Sequence, residues 1–153
     1  MSTTKFCDVD DRFNWVLDRL AVGSLASLAY ADDFVAVVTC ISKEEMDQLL
    51  DGEPLISPTK GKWLYLPIAD GVAGLEQYID RAVDFIHTNI IAGEVLVHCA
   101  AGRSRSVSVI IAYLVSCGFS CQDAKTLVAS RRMNICPAPV FIDEIKKHFG
   151  IER

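Results

Sequence analysis

The stretch VLVHCAAGRSRSVSVIIAYLV, residues 95–115, constrains the fold more than any other part of the chain. A short run of strand formers meets a cysteine, several small residues and two arginines. It then enters a segment that is apolar nearly all round, with Val107, Val109, Ile110, Ile111, Tyr113 and Leu114. A strand that reads as a continuous apolar run has no solvent face and is expected to be covered by helices on both sides. A helix with no polar face belongs in the middle of a domain. Both elements must therefore be interior, which calls for a layered α/β architecture.

The rest of the chain supplies the other layers. Short β-rich runs at 16–22, 34–39 and 63–67 join 95–98 as expected strands, and the alternation with helical patterns favours a mostly parallel central sheet flanked by helices. Ile79, Ala82, Val83, Ile86 and Ile90 recur at helical spacing, with Asp80, Arg81 and Asp84 opposite them, so a crossover helix is expected there, stopped by Gly93. The apolar helix spans about 105–117 and ends at Gly118. Ser120 caps a further helix running to about residue 132, and CPAP (136–139) introduces a last one toward Phe149. Lys125, Arg131 and Arg132 are expected to solvate a face of that penultimate helix and to complement its C-terminal dipole. With 153 residues and no repeat or linker, the chain fits one domain over 1–153.

Charge and cysteine usage narrow the setting. A formal charge of −5 gives no general attraction to nucleic acid, so an anionic ligand must be caught locally. The longest apolar stretch falls well short of the roughly 20 residues of a membrane span. The six cysteines (Cys7, Cys40, Cys99, Cys117, Cys121 and Cys136) follow no secretory signal and show no paired C-x2-C spacing, which points to reduced thiols in the cytoplasm. The opening MSTTKF carries no legible address.

The chemistry concentrates where strand passes to helix. Ala100, Ala101 and Gly102 let the main chain curl tightly, and with Arg103 and Ser104 they deliver successive amides to the positive end of the buried helix, an anion cradle in its own right. Cys99 sits at its base, where amide dipoles and a guanidinium favour thiolate over thiol. Arg105 can fold back and offer a planar fork to two phosphoryl oxygens. Ser106 can donate its hydroxyl to the sulfur. His98 either orients the loop from behind by hydrogen bonding or is a satisfied core histidine.

The run HCAAGRSRS (98–106) matches the H-C-x5-R-S/T signature of cysteine-dependent protein tyrosine phosphatases, and the chain resembles the dual-specificity branch of that superfamily. LDRLAVGS (17–24) resembles the branch's first-strand motif, LPIAD (66–70) its general-acid segment and IIAYLV (110–115) the helix after its loop. The resemblance implies a phosphotyrosine-phosphatase-like fold. It also implies two-step phosphoester hydrolysis through a cysteinyl phosphate, without metal or cofactor, on phosphorylated protein substrates and by a monomer. Cys99 is then the nucleophile, Arg105 and the loop amides hold the equatorial oxygens, and Asp70 is the general acid. Without the resemblance, Asp70 in ADG reads sooner as a turn aspartate than as an acid.

The chain departs from the family at PAPVF (137–141), where Ala138 stands in the place of a common asparagine, so that a hydrogen bond supporting the loop is expected to be missing. Arg103 is the one feature favouring phosphoinositide or phospholipid-phosphate hydrolysis over protein substrates. A catalytically silent phosphate-binding module is opposed by Cys99, Arg105, Ser106 and Asp70 together, and sulfur transfer or arsenate reduction by the separate acid loop. Some relatives protect an oxidised nucleophile as a disulfide. Cys117 is a poor partner, about 18 Å along the helix at ~1.5 Å per residue, whereas Cys40, near the end of a sheet strand, is placed to be closer.

Overall fold

The segment 16–22 is not one strand. In the computed structural model, which describes residues 12–151, it belongs to a tight hairpin of β1 (Phe13–Leu17) and β2 (Leu20–Gly23), paired antiparallel from Phe13 opposite Gly23 to Leu17 opposite Leu20. Asp18 and Arg19 form the exposed turn: two adjacent charges cannot continue a strand whose next four residues are all buried.

The remaining strands are β3 (Ala36–Cys40), β4 (Lys62–Leu66) and β5 (Val95–His98). The sheet order is β1-β2-β5-β3-β4, with every pair parallel except β1 with β2. The mostly parallel α/β architecture is therefore present, and β5 lies at its centre with all four residues buried, as its apolar run requires.

The helices are α1 (Lys43–Leu50), α2 (Glu76–Ile90), α3 (Arg105–Ser116), α4 (Cys121–Arg131) and α5 (Pro139–His148). α3 is buried from Arg105 to Val115 and is the hub of the larger core, where Val38, Val95 and Val97 of the sheet meet Ile79 and Ile86 of α2, Val128 of α4 and Phe141 of α5. Among the described residues, the smaller core on the opposite sheet face contains no α-helical side chain. A 3-10 segment (Leu25–Asp33) and an aromatic group of Phe13, Trp15, Tyr30, Phe34 and Trp63 pack there on Ala21, Val37 and Leu96.

Local signals set the ends. Ser120 accepts the Asp123 N–H at 3.0 Å to cap α4, Pro139 opens α5, and Gly118 beyond α3 takes φ +110°. α1 had not been expected. Its N-terminus is a capping box in which Ser42 Oγ accepts the Glu45 N–H at 3.1 Å and Glu45 Oε1 accepts the Ser42 N–H at 2.8 Å.

Candidate active site

β5 delivers Cys99 to the C-terminal edge of the sheet, and residues 99–104 curl before α3 begins. The curl depends on Gly102, whose φ is +72° and whose absent Cβ would stand 2.7 Å from the Gly23 carbonyl and 2.6 Å from Arg132 Nη2. No other residue fits both the conformation and the space.

Braces around the loop hold its carbonyls outward. The Leu25 N–H donates to Ala100 O at 2.9 Å, Arg132 Nη2 to Ala101 O at 3.3 Å, Arg132 Nε to Gly102 O at 2.7 Å, and the Cys136 N–H to Arg103 O at 2.8 Å. In a trans peptide the N–H opposes the C=O, so tethering these four carbonyls from outside turns the N–H groups of residues 101–104 toward the concave side. The result is a bowl of main-chain donors. Its cavity, about 400 Å3, is lined by Cys99, Ala100, Ala101, Arg103, Ser104, Arg105, Asp70 and Cys136. The structure thus brings together most of the residues singled out by sequence. Gly102 forms the back of the loop, while Ser106 and His98 lie beneath it, fully buried.

Arg132 does not solvate a helix face as expected. It is 6% exposed, and besides its two loop carbonyls it donates through Nη1 to Asn14 Oδ1 at 2.8 Å. Its position continues the buried row Ala124, Val128 at helical spacing, a signal that the adjacent charge of Arg131 obscured. Cations of this kind hold carbonyls that would otherwise be buried without donors.

Arg105 is 5% exposed and heavily committed. Glu45 grips both terminal nitrogens, with Nη2 to Oε2 at 3.0 Å, and Nη1 also donates to Ile68 O at 2.9 Å. Its Nε is buried without a hydrogen-bond partner. One fork of the guanidinium is therefore spent on positioning, while the Nε edge keeps a donor for a guest. Hydrogen bonding from Arg105 is the main reason the Glu45 carboxyl sits at about 2; partial burial opposes this and the Ser42 hydrogen bonds add to it. Burial would lower the Arg105 pKa, but the bond to Glu45 and the fields of Cys99, Glu45 and Asp70 outweigh it and raise it. Glu45 was not singled out by sequence. The S-x-x-E capping pattern (42–45) marks its helix, and nothing in the sequence marks its second role.

Cys99 is 2% exposed, with Sγ 3.1 Å from Ser106 Oγ. On the other sheet face His98 takes part in an ordered relay. Trp63 Nε1 donates to Thr39 Oγ1 at 2.8 Å, the Thr39 hydroxyl donates to His98 Nε2 at 2.8 Å, and His98 Nδ1 donates to Cys99 O at 3.2 Å. Only the tautomer protonated on Nδ1 fits this chain, because a carbonyl can only accept. Burial lowers the His98 pKa to about 4, against the upward pull of the Cys99 carbonyl, so the ring is neutral at physiological pH. The geometry contains both expected features: the ring is fully buried with both nitrogens satisfied, and one of those bonds goes to the Cys99 carbonyl at the start of the loop.

Asp70 is exposed on the loop after β4, at the mouth of the cavity. Ala138 has no side chain to offer, but its N–H donates to Ser104 Oγ at 3.0 Å, so the segment before α5 still braces the loop through its main chain. Arg103 is exposed at the rim. Cys40 is fully buried, one position beyond the Thr39–His98 pairing of adjacent parallel strands, and so neighbours Cys99 on the same face. Burial pushes its thiol well above the usual value, and the nearby Cys99 adds to this against the pull of Arg105. Cys7 lies outside the described residues.

The profile described as "Dual specificity phosphatase, catalytic domain" matches residues 31–150. Dual specificity protein phosphatase 1 of Arabidopsis thaliana is 32% identical over 130 residues, covering 83% of this chain and 52% of that protein. Human dual specificity protein phosphatase 22 is 30% identical over 145 residues, covering 88% and 74%. Among solved structures, a human tyrosine phosphatase-like serine/threonine/tyrosine-interacting protein superposes with a TM-score of 0.79 at 25% identity, covering 92% of this chain and 97% of that one. The chain belongs to the dual specificity phosphatase family, within the cysteine-dependent tyrosine phosphatase superfamily. It spans about half or less of the length of several curated relatives.

Proposed function

We propose that residues 1–153 form a catalytic domain that hydrolyses phosphotyrosine and phosphoserine or phosphothreonine in proteins through a cysteinyl-phosphate intermediate. The observation that carries this is the bowl itself: carbonyls tethered outward leave the opposing amides facing a cavity that Cys99 and Arg105 also line. In the first step Cys99 Sγ attacks phosphorus in line, the P–O bond to the substrate breaks, and Asp70 gives its proton to the departing oxygen. The amides of residues 101–104 and Arg105 hold the equatorial oxygens as charge redistributes, which is positioning and electrostatics rather than covalent chemistry. In the second step Asp70, now ionised, takes a proton from water, the water oxygen bonds to phosphorus, and the S–P bond breaks. Ser106 donates its hydroxyl to the leaving sulfur. Arg132, Glu45 and His98 are positioning residues: they act through the loop carbonyls, the guanidinium and the Cys99 carbonyl.

Protein substrates are favoured over nucleic acid by the charge of −5, and over inositol or phospholipid headgroups because Arg103 is the lone extra cation of the loop. A monomer in the cytoplasm suits an exposed site and a thiol nucleophile; among the described residues no helix is long and apolar enough to cross a membrane. One structural neighbour is described as phosphatase-like and interacting, which brings forward a silent binding module as the second reading. The test for both is turnover of p-nitrophenyl phosphate, phosphopeptides and phosphoinositides by wild type, Cys99→Ser and Asp70→Asn. Cys99→Ser is expected to abolish turnover while retaining phosphopeptide binding, and Asp70→Asn to slow esters with poor leaving groups most. An inactive wild type that binds phosphopeptide would establish the silent module, and an equal loss on all esters in Asp70→Asn would remove the acid assignment.

A further inference from the structure

Outside the bowl, on the side of α1, lies an apolar groove of about 280 Å3 whose walls include Leu25, Leu28, Ile41, Met46, Leu49 and Trp63. A smaller recess shares Leu25, Ile41 and Leu49 with it and is also lined by Glu45 and Ala100, so the groove adjoins the bowl, whose wall Ala100 also forms. The groove is wired to the chemistry beneath. Thr39 in its floor is the middle of the relay from Trp63 to His98, and α1 offers Met46 and Leu49 to the groove while its Glu45 grips Arg105.

Large apolar side chains stand open to water here: Leu49 is 49% exposed and Ile56, also on the wall, 74%. Clustered exposure of this kind, continuous with a polar site, marks a surface that is covered when a ligand binds. The charge around it decides which ligand. α1 and the chain after it carry exposed Glu44, Asp47, Asp51 and Glu53, against exposed Lys43, which pairs with Asp47 at 3.6 Å, and exposed Lys60 and Lys62 beside the wall residues Pro58 and Trp63. This border is not the cationic cluster that holds a protein on an anionic bilayer. The volume is also at or below the low end of pockets for drug-sized ligands, about 300–1,000 Å3, enough for one or two side chains.

We propose that this groove is a substrate subsite that takes a large aliphatic or aromatic side chain of a phosphoprotein, near in sequence to the residue whose phosphate occupies the bowl. This rests on the phosphatase reading above and supplies its substrate preference. The groove reads the flanking residue, and Leu49 and Ile56 are specificity determinants that touch substrate without touching the reacting atoms.

The test uses the full chain and a series of phosphotyrosine peptides in which a single alanine, leucine or phenylalanine is walked along both flanks of an otherwise alanine- and serine-based sequence. Alongside run p-nitrophenyl phosphate and anionic vesicles carrying a phosphomonoester lipid. Wild type is expected to prefer leucine or phenylalanine over alanine at one offset by roughly 10-fold in kcat/KM, the usual reach of an apolar pocket. Leu49→Glu and, separately, Ile56→Asp are expected to bring that ratio close to one while p-nitrophenyl phosphate turnover stays within about twofold, as for substitutions of exposed residues. No preference at any offset overturns the subsite. So does an equal loss on peptides and p-nitrophenyl phosphate, or vesicle lipid turned over faster than every peptide and slowed by Leu49→Glu. A wild type inactive on p-nitrophenyl phosphate overturns the phosphatase reading first, and the subsite with it.

Discussion

Replacing Glu45 by glutamine keeps the shape of the side chain and removes its charge from Arg105. The carboxyl lies at about 2 instead of 4.5, which at ~1.4 kcal/mol per pH unit corresponds to about 3 kcal/mol in an unscreened site. Glu45 is 37% exposed, however, so water screens the pair. About 1–2 kcal/mol is the realistic contribution. The sign follows from linkage. A carboxyl depressed by folding stabilises the native state in full above its unfolded pKa near 4.5, and that stability drains away as pH falls toward 2. Urea denaturation of wild type and Glu45→Gln between pH 7 and pH 2.5 should therefore show the variant about 1–2 kcal/mol weaker at neutrality, with the difference closing below pH 4. Turnover of p-nitrophenyl phosphate should fall together with this loss, because Arg105 is freed to leave the rim, and Glu45→Asp should recover part of it. A constant offset between the two proteins across the whole pH range would show that the ion pair does not stabilise the fold, and an unchanged kcat/KM that it does not position the guanidinium.

Arg132→Met removes the donor that serves the Ala101 and Gly102 carbonyls and is expected to cost about 3 kcal/mol; a loss of vanadate protection in thermal unfolding larger than the loss of stability would separate loop collapse from simple weakening, and retained protection would refute the bracing role. Ala138→Asn gives α5 the N-cap side chain it lacks and should stabilise the protein by about 1 kcal/mol; no rise in the urea midpoint would mean that the asparagine bonds elsewhere. Under mild hydrogen peroxide, Cys99 is expected to form a sulfenic acid, which condenses with the neighbouring Cys40 thiol to give a disulfide and release water; peptide mapping that finds Cys99 only as sulfinic or sulfonic acid, with Cys40 unlinked, rules this out.

What the sequence disclosed and what it hid divide by distance along the chain. β5, the loop and α3 are contiguous, and their apolar patterns, the glycine at 102 and the helix start at Arg105 are local signals that survive without knowledge of the fold. Asp70 needed the family resemblance, because a turn aspartate and an acid look alike in sequence. Glu45 and Arg132 were missed for a different reason. Each makes its decisive bonds to residues 60 or 30 positions away, and local pattern reports only what a residue does for its own helix: Glu45 as a cap, Arg132 as a terminal cation. The segment 16–22 reads as one strand because the hairpin turn within it is only Asp18 and Arg19, too short to break an apolar average over seven residues. At Ala138 the side-chain hydrogen bond is absent, as its residue type requires, while the main-chain N–H, which every residue but proline carries, still reaches Ser104.

The outward ties of the loop have a consequence for how the protein comes into being. Arg132 reaches a partner 118 positions earlier while holding the loop, so the bowl cannot close when Cys99 and Arg105 first leave the ribosome. It must wait until the C-terminal end of α4 has been synthesised and has docked. A nascent chain halted before that point carries Cys99 without the braced loop around it.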